Sequence, residues 1–565
     1  MCTFVVKSTR MIEQNFIKLY EKSFKENWLR NALSDYGDPT PMRYADVAEE
    51  IARIHLLYEK MHLRKGDKVA LVGKNSTKWV LAYMATITYG AVIIPILQDF
   101  NPNDVHHIVN HSEAIMLWVS DSIWENLEEE KMDALRAVFS LNDSRCICQH
   151  DGEAIQKMVR ALDMEFKQRY SGGFTAADVK FADVSNEDLI LLNYTSGTTG
   201  FTKGVMLSAN NLVGNVLFAI RSGLMHNETR ILSFLPLAHA YGCSFEMLSP
   251  LANGGHVTLL GKIPSPKILM QAMSMVKPTI ILSVPLVLEK IYKKQVQPLL
   301  NQRAMRLALS IPLLDTRILA TIQKKLVNAF GGEFMQIVVG GAPLNPEVEA
   351  FLLKIKFPFT VGYGMTECAP LISYSPYYEY IESSCGKILN GMEVRIDHAD
   401  PTTRVGEICV RGENVMIGYY KNDAATHDVF DREGWFHTGD LGSVDANGVI
   451  YIRGRSKSMI LGANGQNIYP EEIEAKLNNL PFVMESLVIE NDGKLIALVY
   501  PDYEGVDESH IAHEELQMVM EQNRIALNKD LASYEIISKI VLYPNEFEKT
   551  PKKSIKRYLY ANALQ

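Results

Sequence analysis

Cysteine is scarce: seven in 565 residues, scattered at Cys2, Cys146, Cys148, Cys243, Cys368, Cys385 and Cys409. An odd count without paired spacing excludes a disulfide framework and a zinc-finger pattern. Positive charge is not in excess either. The 57 Lys+Arg stand against 66 Asp+Glu, a formal −9, which argues against a nucleic-acid binder. There is no internal repeat and no low-complexity linker, and 47% hydrophobic with 22% charged residues excludes a disordered chain. Only one long apolar run occurs: residues 79–97 are 19 positions without a charge. That is close to the ~20 a bilayer requires. Thr86, Thr88, Gly90 and Pro95 interrupt it, so it reads as a buried helix ending near Gly90, then a short strand over 92–97. The N-terminus carries Lys7, Arg10 and Glu13 where a signal peptide is apolar, so a cytoplasmic, reducing compartment is expected.

Residues 44–61 carry Val47, Ile51, Ile54, Tyr58 and Met61 at helical spacing. Lys65-Gly66-Asp67 breaks that pattern, and 68–72 reads as a buried strand. The alternation continues: a strand over 189–193, a helix after Ser208 with Leu212, Val216 and Ile220 on one face, and short apolar runs at 279–283 and 336–339. This predicts α/β layering with a largely parallel sheet. From about residue 386 the texture shifts to strands and Gly-rich turns, as in Gly406-Glu-Ile-Cys-Val-Arg-Gly412. Residues 457–565 mix short strands with charged helices.

The most informative segment is Tyr194-Thr-Ser-Gly-Thr-Thr-Gly-Phe-Thr-Lys-Gly-Val205, where a strand runs into a loop of Gly, Ser and Thr with one Lys. Such a loop turns backbone N–H groups and hydroxyls toward an anion, and Lys203 adds a point charge. Lacking side chains, Gly197, Gly200 and Gly204 let the backbone approach phosphate oxygens. A Walker A loop needs Gly-x4-Gly-Lys-[Ser/Thr], whereas Thr202 precedes Lys203 here and Gly204 follows it. A kinase or P-loop ATPase is therefore disfavoured. His106, His107 and His111 include an i,i+4 pair but have no third ligand nearby, and Cys146-Ile-Cys148 with His150 is isolated. Both read as structural rather than metal-binding.

Further motifs follow in order: Leu235-Pro-Leu-Ala-His-Ala-Tyr-Gly242, Gly340-Gly-Ala-Pro343, Tyr363-Gly-Met-Thr-Glu367, Phe436-His-Thr-Gly-Asp440, and Gly454-Arg-Ser-Lys457 continuing through Gly462 and Gly465 to Glu471-Glu-Ile-Glu474. With the loop above, this ordered set resembles the adenylate-forming superfamily of acyl-CoA synthetases, nonribosomal adenylation domains and firefly-type luciferases. The resemblance implies that Thr195, Ser196, Gly197, Thr198, Thr199, Gly200 and Lys203 hold the β- and γ-phosphates of ATP. It places Glu367 on Mg²⁺ and Thr366 on the α-phosphate. Gly341, Ala342, Pro343, Tyr363 and Gly364 fall at adenine, with Tyr363 stacking on the base. Asp440 falls at the ribose hydroxyls, Arg455 between ribose and phosphate, and His239 beside the carboxylate substrate. Lys457 is the implied hinge of a mobile C-terminal domain, and Gly465 the implied lining of the CoA pantetheine channel.

The implied architecture is α/β: a large N-terminal domain over 1–456, with the β-rich subdomain from about 386, and a small mobile α+β C-terminal domain over 457–565. One departure matters. The family's Gly-Lys-Ile-x-Arg element reads here as Thr550-Pro-Lys-Lys-Ser-Ile-Lys-Arg557. Aligning Ile555 and Arg557 puts Ser554 at the lysine position, which leaves Lys553, or Lys552, to take its role. Residues 283–292 and 467–474 are similar to elements of bacterial long-chain-fatty-acid–CoA ligases. The resemblance thus implies ATP-dependent activation of a medium- or long-chain fatty acid to acyl-AMP, then transfer to CoA. Two alternatives stay open: delivery to an acyl-carrier protein, and a non-catalytic nucleotide and acyl binder. The expected partners are fatty acid, ATP and CoA, with at most peripheral membrane contact, in a monomer or homodimer.

Overall fold

Four- and five-residue apolar runs become the parallel strands of a central sheet. In spatial order its strands are Gly418–Tyr419, Thr202–Ser208, Leu189–Ser196, Val92–Ile96, Lys68–Val72, Met116–Val119 and Ala137–Ser140. The five from Leu189–Ser196 onward run parallel. Thr202–Ser208 folds back antiparallel, and Gly418–Tyr419 pairs antiparallel with it. The inner strands are covered on both faces, which is why they read as unbroken apolar runs without alternation. The computed structural model describes residues 12–148, 152–196, 202–461, 467–491, 493–509, 512, 515–550, 554–560 and 563.

The helices obey the same local signals. Tyr44–Lys60 buries Val47, Ile51 and Tyr58, and Ser208 caps Ala209–Arg221 through Asn211 N–H. Thr77–Tyr89 stops at Gly90, whose φ of +88° suits glycine and closes the helix with bonds from its N–H to Thr86 and Ile87. The uncharged run 79–97 is thus most of a 13-residue helix plus the strand Val92–Ile96. No helix among the described residues is long and apolar enough to cross a membrane.

A second sheet orders Met42–Arg43, Asn31–Asp35, His256–Leu259 and Arg230–Ser233. The Thr279 N–H bonds Arg230 O at 3.0 Å and leads into the parallel strands Ile281–Ser283, Ile337–Val339 and Phe359–Val361. Both sheets share one core with the helices. An antiparallel sheet follows, of Met392–Asp397, Gly406–Gly412, Phe436–Val444 and Ile450–Arg455. Beyond the turn at 456–458, Val483–Asn491, Lys494–Pro501 and Ile537–Leu542 pack with helices Pro470–Leu477 and Leu516–Lys529. Their own core includes Ile473, Leu477, Ala497, Met520 and Leu527. Polar contacts tie this last unit to the rest: Lys293 Nζ donates to Asn478 O at 2.9 Å, and Asn345 Nδ2 donates to Asn479 Oδ1.

Candidate functional site

The hairpin of the central sheet fixes the first side chains. Its register pairs Tyr194 with Gly204, Thr195 with Lys203 and Ser196 with Thr202. The ladder therefore runs past residue 193, where the sequence reading ended the strand, because cross-strand pairing outweighs the turn tendency of Ser and Thr. Gly204 is needed for the close approach, since a Cβ there would lie 3.0 Å from the Tyr194 ring. Gly197, Thr198, Thr199 and Gly200 lie outside the described residues.

Lys203 Nζ sits 4.6 Å from the centre of the Tyr419 ring, a cation–π contact. The Tyr419 hydroxyl donates to Glu367 Oε1 at 3.0 Å. Burial, then the Glu367 charge, pushes the Tyr419 phenol up, so it stays a neutral donor. Tyr419 pairs with Val205 on the hairpin, so one side chain joins the lysine to the carboxylate. Thr366 is buried in the same short turn as Glu367. Thr202 Oγ1 is buried with no partner among the described residues, and Thr202 lines the cleft. An incoming anion is the kind of acceptor such a hydroxyl lacks.

Asp440 and Arg455 face each other across antiparallel strands. Arg455 Nε lies 2.8 Å from Asp440 Oδ1, and the Tyr363 hydroxyl donates to Asp440 Oδ2 at 2.7 Å. Burial raises the Asp440 carboxyl pKa, with Arg455 and Tyr363 opposing. Gly341, Ala342 and Pro343 follow the strand Ile337–Val339 onto the cleft wall, Gly341 with a φ of +89°. Gly364 runs too close to the Pro370 carbonyl for any Cβ.

His239 caps the turn Ala240–Gly242, its Nδ1 accepting from Tyr241 N–H at 3.3 Å. Three side chains that sequence reasoning missed hold the preceding loop. Asn75 accepts from Leu237 N–H and donates to Leu235 O, at 3.1 and 2.7 Å. Asn193 donates to Ala238 O at 3.1 Å. Glu246, fully buried, accepts from the Ser233 hydroxyl at 2.9 Å and Leu235 N–H at 3.1 Å. Burial pushes its carboxyl pKa well up. Glu246 lies in a π-helical turn, Cys243–Leu248, that no periodicity marks.

These walls enclose one cleft of about 3800 Å³, whose lining also includes Thr550, Ser554 and Arg557 of the C-terminal unit. The lining of the same cleft also includes the apolar side chains Leu260, Leu269, Val284, Leu286, Val287 and Ile291. Lys457 is exposed in the turn straight after Ile450–Arg455, where Ser458 N–H bonds Arg455 O at 3.1 Å. Gly465 and Lys553 lie outside the described residues. Thr550 N–H bonds Ser554 O at 2.8 Å, so the described ends flanking Lys553 meet at the cleft. Arg557 anchors that segment, its guanidinium donating to Glu474 and lying 3.7 Å from Glu471. Burial pushes Glu474 up to about 7, with Arg557 opposing.

Among the described residues, the group of three side chains able to share a metal is Asp397, Cys409 and His437, and it excludes Glu367. Glu367 offers a hard carboxylate donor, and one protein carboxylate suffices where Mg²⁺ is held mainly by substrate phosphates. The histidines singled out in sequence make packing bonds. His106 Nε2 accepts from Glu128 N–H at 3.0 Å, and His111 Nδ1 lies 2.8 Å from the Tyr194 hydroxyl.

The fold is that of the adenylate-forming enzymes. The structure matches ATP-bound MatB from Rhodopseudomonas palustris with a TM-score of 0.75 over 98% of this chain and 100% of that one, at 21% identity. Residues 21–420 match the family model described as AMP-binding enzyme, and the chain belongs to that family. It is 29% identical to long-chain-fatty-acid–CoA ligase FadD15 of Mycobacterium bovis, covering 80% of this chain and 75% of that one. It is 26% identical to 4-coumarate:CoA ligase 1 of Petunia hybrida, covering 79% and 76%. The activity class these findings support is an AMP-forming acid–thiol ligase.

Proposed function

We propose that this chain converts a medium- or long-chain fatty acid, ATP and CoA into acyl-CoA, AMP and pyrophosphate. The observation that carries the reading is the cleft itself, whose lining holds both the Lys203–Tyr419–Glu367 group and apolar side chains such as Leu260, Leu269 and Leu286. The relatives named as long-chain-fatty-acid ligases support the same substrate class.

In the first step a carboxylate oxygen bonds to the α-phosphorus while the bond to the bridging β-phosphate oxygen breaks, and pyrophosphate leaves. Both reactants are anions, so the site must supply positive charge and fixed donors. Lys203 and the hydroxyls of Thr195, Ser196 and Thr202 take the β- and γ-phosphates, and Thr366 takes the α-phosphate. Mg²⁺, when bound at Glu367, supplies further positive charge at the phosphates. Asp440 accepts from the ribose hydroxyls while Arg455 steadies it, and Tyr363 lies against adenine. His239 stands beside the acyl carboxylate, and Lys553 approaches it from the C-terminal unit. In the second step that unit turns about Lys457, and the CoA thiolate displaces AMP from the acyl carbon.

The test is product analysis with ATP, Mg²⁺, a C8–C18 acid panel and 4-coumarate, with and without CoA. AMP turnover that needs both a fatty acid and CoA is expected. Turnover on 4-coumarate alone overturns the fatty chain, and a pyrophosphate burst unaffected by CoA points to a carrier-protein acceptor. ADP contradicts the chemistry altogether. No product from protein that still binds ATP makes Ser554 the mark of a non-catalytic binder.

A further inference from the structure

The antiparallel sheet beside the cleft puts a thiol, an imidazole and two carboxylates on one face. Residues two apart on a strand share a face, so Arg395 goes with Asp397 and Glu407 with Cys409. The register then sets Asp397 opposite Glu407 and Cys409 opposite His437. His437 Nδ1 lies 2.9 Å from Glu407 Oε2 and 3.4 Å from Cys409 Sγ. Ligand atoms of Asp397, Cys409 and His437 all lie within 4.8 Å of one another. A tetrahedral zinc ion, bonded at about 2.3 Å to sulfur and about 2.0 Å to nitrogen, holds those two ligands about 3.5 Å apart. Cys409 and His437 already meet that spacing, and a small turn of the Asp397 side chain closes the set. A hydrogen-bonded His–Glu pair accounts for the imidazole but for neither the thiol nor Asp397.

One cation faces the group, Arg395, with Nη2 3.6 Å from Asp397 Oδ2. Its guanidinium is held from the far side, 2.8 Å from Asp431 and 3.2 Å from Glu433, and lies 4.9 Å from the centre of the Trp435 ring. Asp397 is thus the most distant of its three acids and the one able to turn to an ion. Glu407 and His437 line the cleft, and the Asp397 side chain is 31% exposed, so the group is open to ions from solvent. Sulfur together with imidazole selects a borderline-soft cation such as Zn²⁺ over Mg²⁺ or Ca²⁺, which favour oxygen alone. Position says what the ion would touch. Between the pairs Glu407–Leu441 and Cys409–His437 the register slips, so Thr438, Gly439 and Asp440 bulge opposite Ile408. Gly439, with a φ of 72°, donates its N–H to Glu407 Oε1 at 3.0 Å. One carboxylate therefore faces the group with one oxygen and holds the bulge that presents Asp440 with the other.

We propose that Cys409, His437, Asp397 and Glu407 form a binding site for Zn²⁺, or a cation of the same borderline class, and that the ion clamps the bulge carrying Asp440. The Cys409 thiol gives its proton to solvent as the thiolate takes the ion. The site itself stands apart from the ligase reading; its reach to a nucleotide through Asp440 rests on that reading.

The test is titration of the full chain, first dialysed against chelator, with Zn²⁺ in competition with a chromogenic chelator and with Co²⁺ followed by its thiolate charge-transfer band. A tight Zn²⁺ equivalent and a Co²⁺ band are expected. Losing an outer-shell partner already costs a metal site about 10–100-fold in affinity. Cys409→Ser should therefore abolish the band and weaken Zn²⁺ at least about 100-fold. Asp397→Asn, at a half-exposed position, should keep the band and weaken Zn²⁺ at least about ten-fold, which decides the matter if the buried serine does not fold. Cys148→Ser, in the thiol pair whose Sγ atoms lie 3.1 Å apart, should change neither readout. No tight equivalent in wild type, affinity unchanged in Asp397→Asn, or a band lost in Cys148→Ser and kept in Cys409→Ser overturns the site. AMP should bind several-fold tighter with Zn²⁺ present, in wild type and not in Cys409→Ser, since linkage is reciprocal. AMP affinity indifferent to Zn²⁺ overturns the clamp. If Zn²⁺ binds as expected but the chain forms no acyl-AMP, the site stands and the ligase reading fails.

Discussion

Arg557→Ala removes the cation from a buried pair and leaves Glu474, 7% exposed, with the Val488 N–H at 2.7 Å as its remaining close donor. Breaking one side of a buried pair costs about 3–5 kcal/mol, because the stranded charge has lost its solvent. Here the loss is softened. Glu474 already sits at about 7 rather than 4.5, so without Arg557 it takes up a proton near neutral pH. Each pK unit of that uptake is ~1.4 kcal/mol, and we expect a net loss of about 3 kcal/mol near pH 7. The sign of the pH dependence follows. A carboxyl whose folded pKa is raised stabilises fully below its unfolded pKa and loses that contribution as pH rises through the folded value. Removing Arg557 moves the folded value higher still, so the deficit against wild type should be smaller at pH 6 and larger at pH 8.5. If the C-terminal unit melts separately, its midpoint should fall by about 12–24 °C. Hydrogen exchange of Val488 and of strand Lys494–Pro501 reads the loss directly. A double-mutant cycle with Glu474→Gln should give a coupling above ~1.5 kcal/mol. Additive effects, or a deficit flat from pH 6 to 8.5, would refute the assignment of Arg557 as the charge partner of a buried carboxylate.

Other expectations follow from single contacts. Tyr419→Phe keeps the ring under Lys203 but removes the donor to Glu367. A hydrogen bond to a charged group is worth about 1.5–3 kcal/mol, so KM for MgATP should rise roughly ten-fold or more, with little change in melting temperature. Glu246→Gln replaces a neutral buried carboxyl by a near isostere and should cost less than ~1 kcal/mol at pH 7. Because the folded pKa of Glu246 is raised, wild type should lose stability toward alkaline pH where the glutamine variant does not. Glu246→Leu strands the Ser233 and Leu235 donors and should be far less stable in the same denaturant titration. Lys553→Ala should cut acyl-AMP formation strongly and spare thioester formation from supplied acyl-AMP; equal loss in both halves contradicts its role.

Much of the architecture was legible because local signals and tertiary environment agree. The strand Lys68–Val72, the helix Tyr44–Lys60 and the break at Gly90 each follow from a pattern within a few residues. The hairpin ladder through Ser196 and Thr202 was not legible, since Ser and Thr read as loop until their cross-strand partners are known. The π-helical turns Cys243–Leu248 and Tyr292–Val296 leave no periodic trace. Candidate site residues were visible where they sat inside contiguous motifs, as with Lys203 and Glu367. Tyr419 was missed because its meaning lies in two contacts distant in sequence, one to Lys203 and one to Glu367. Asn75, Asn193 and Glu246 were missed because single polar residues in apolar surroundings do not announce which loop they hold.

The proposed reaction turns on a direct bond between the substrate carboxylate and the α-phosphate. Mass spectrometry of AMP formed from ¹⁸O-carboxylate-labelled fatty acid, ATP and CoA tests that most directly. One ¹⁸O atom in each AMP, with unlabelled pyrophosphate, is the predicted result. Label in inorganic phosphate alongside ADP, or unlabelled AMP, would contradict it.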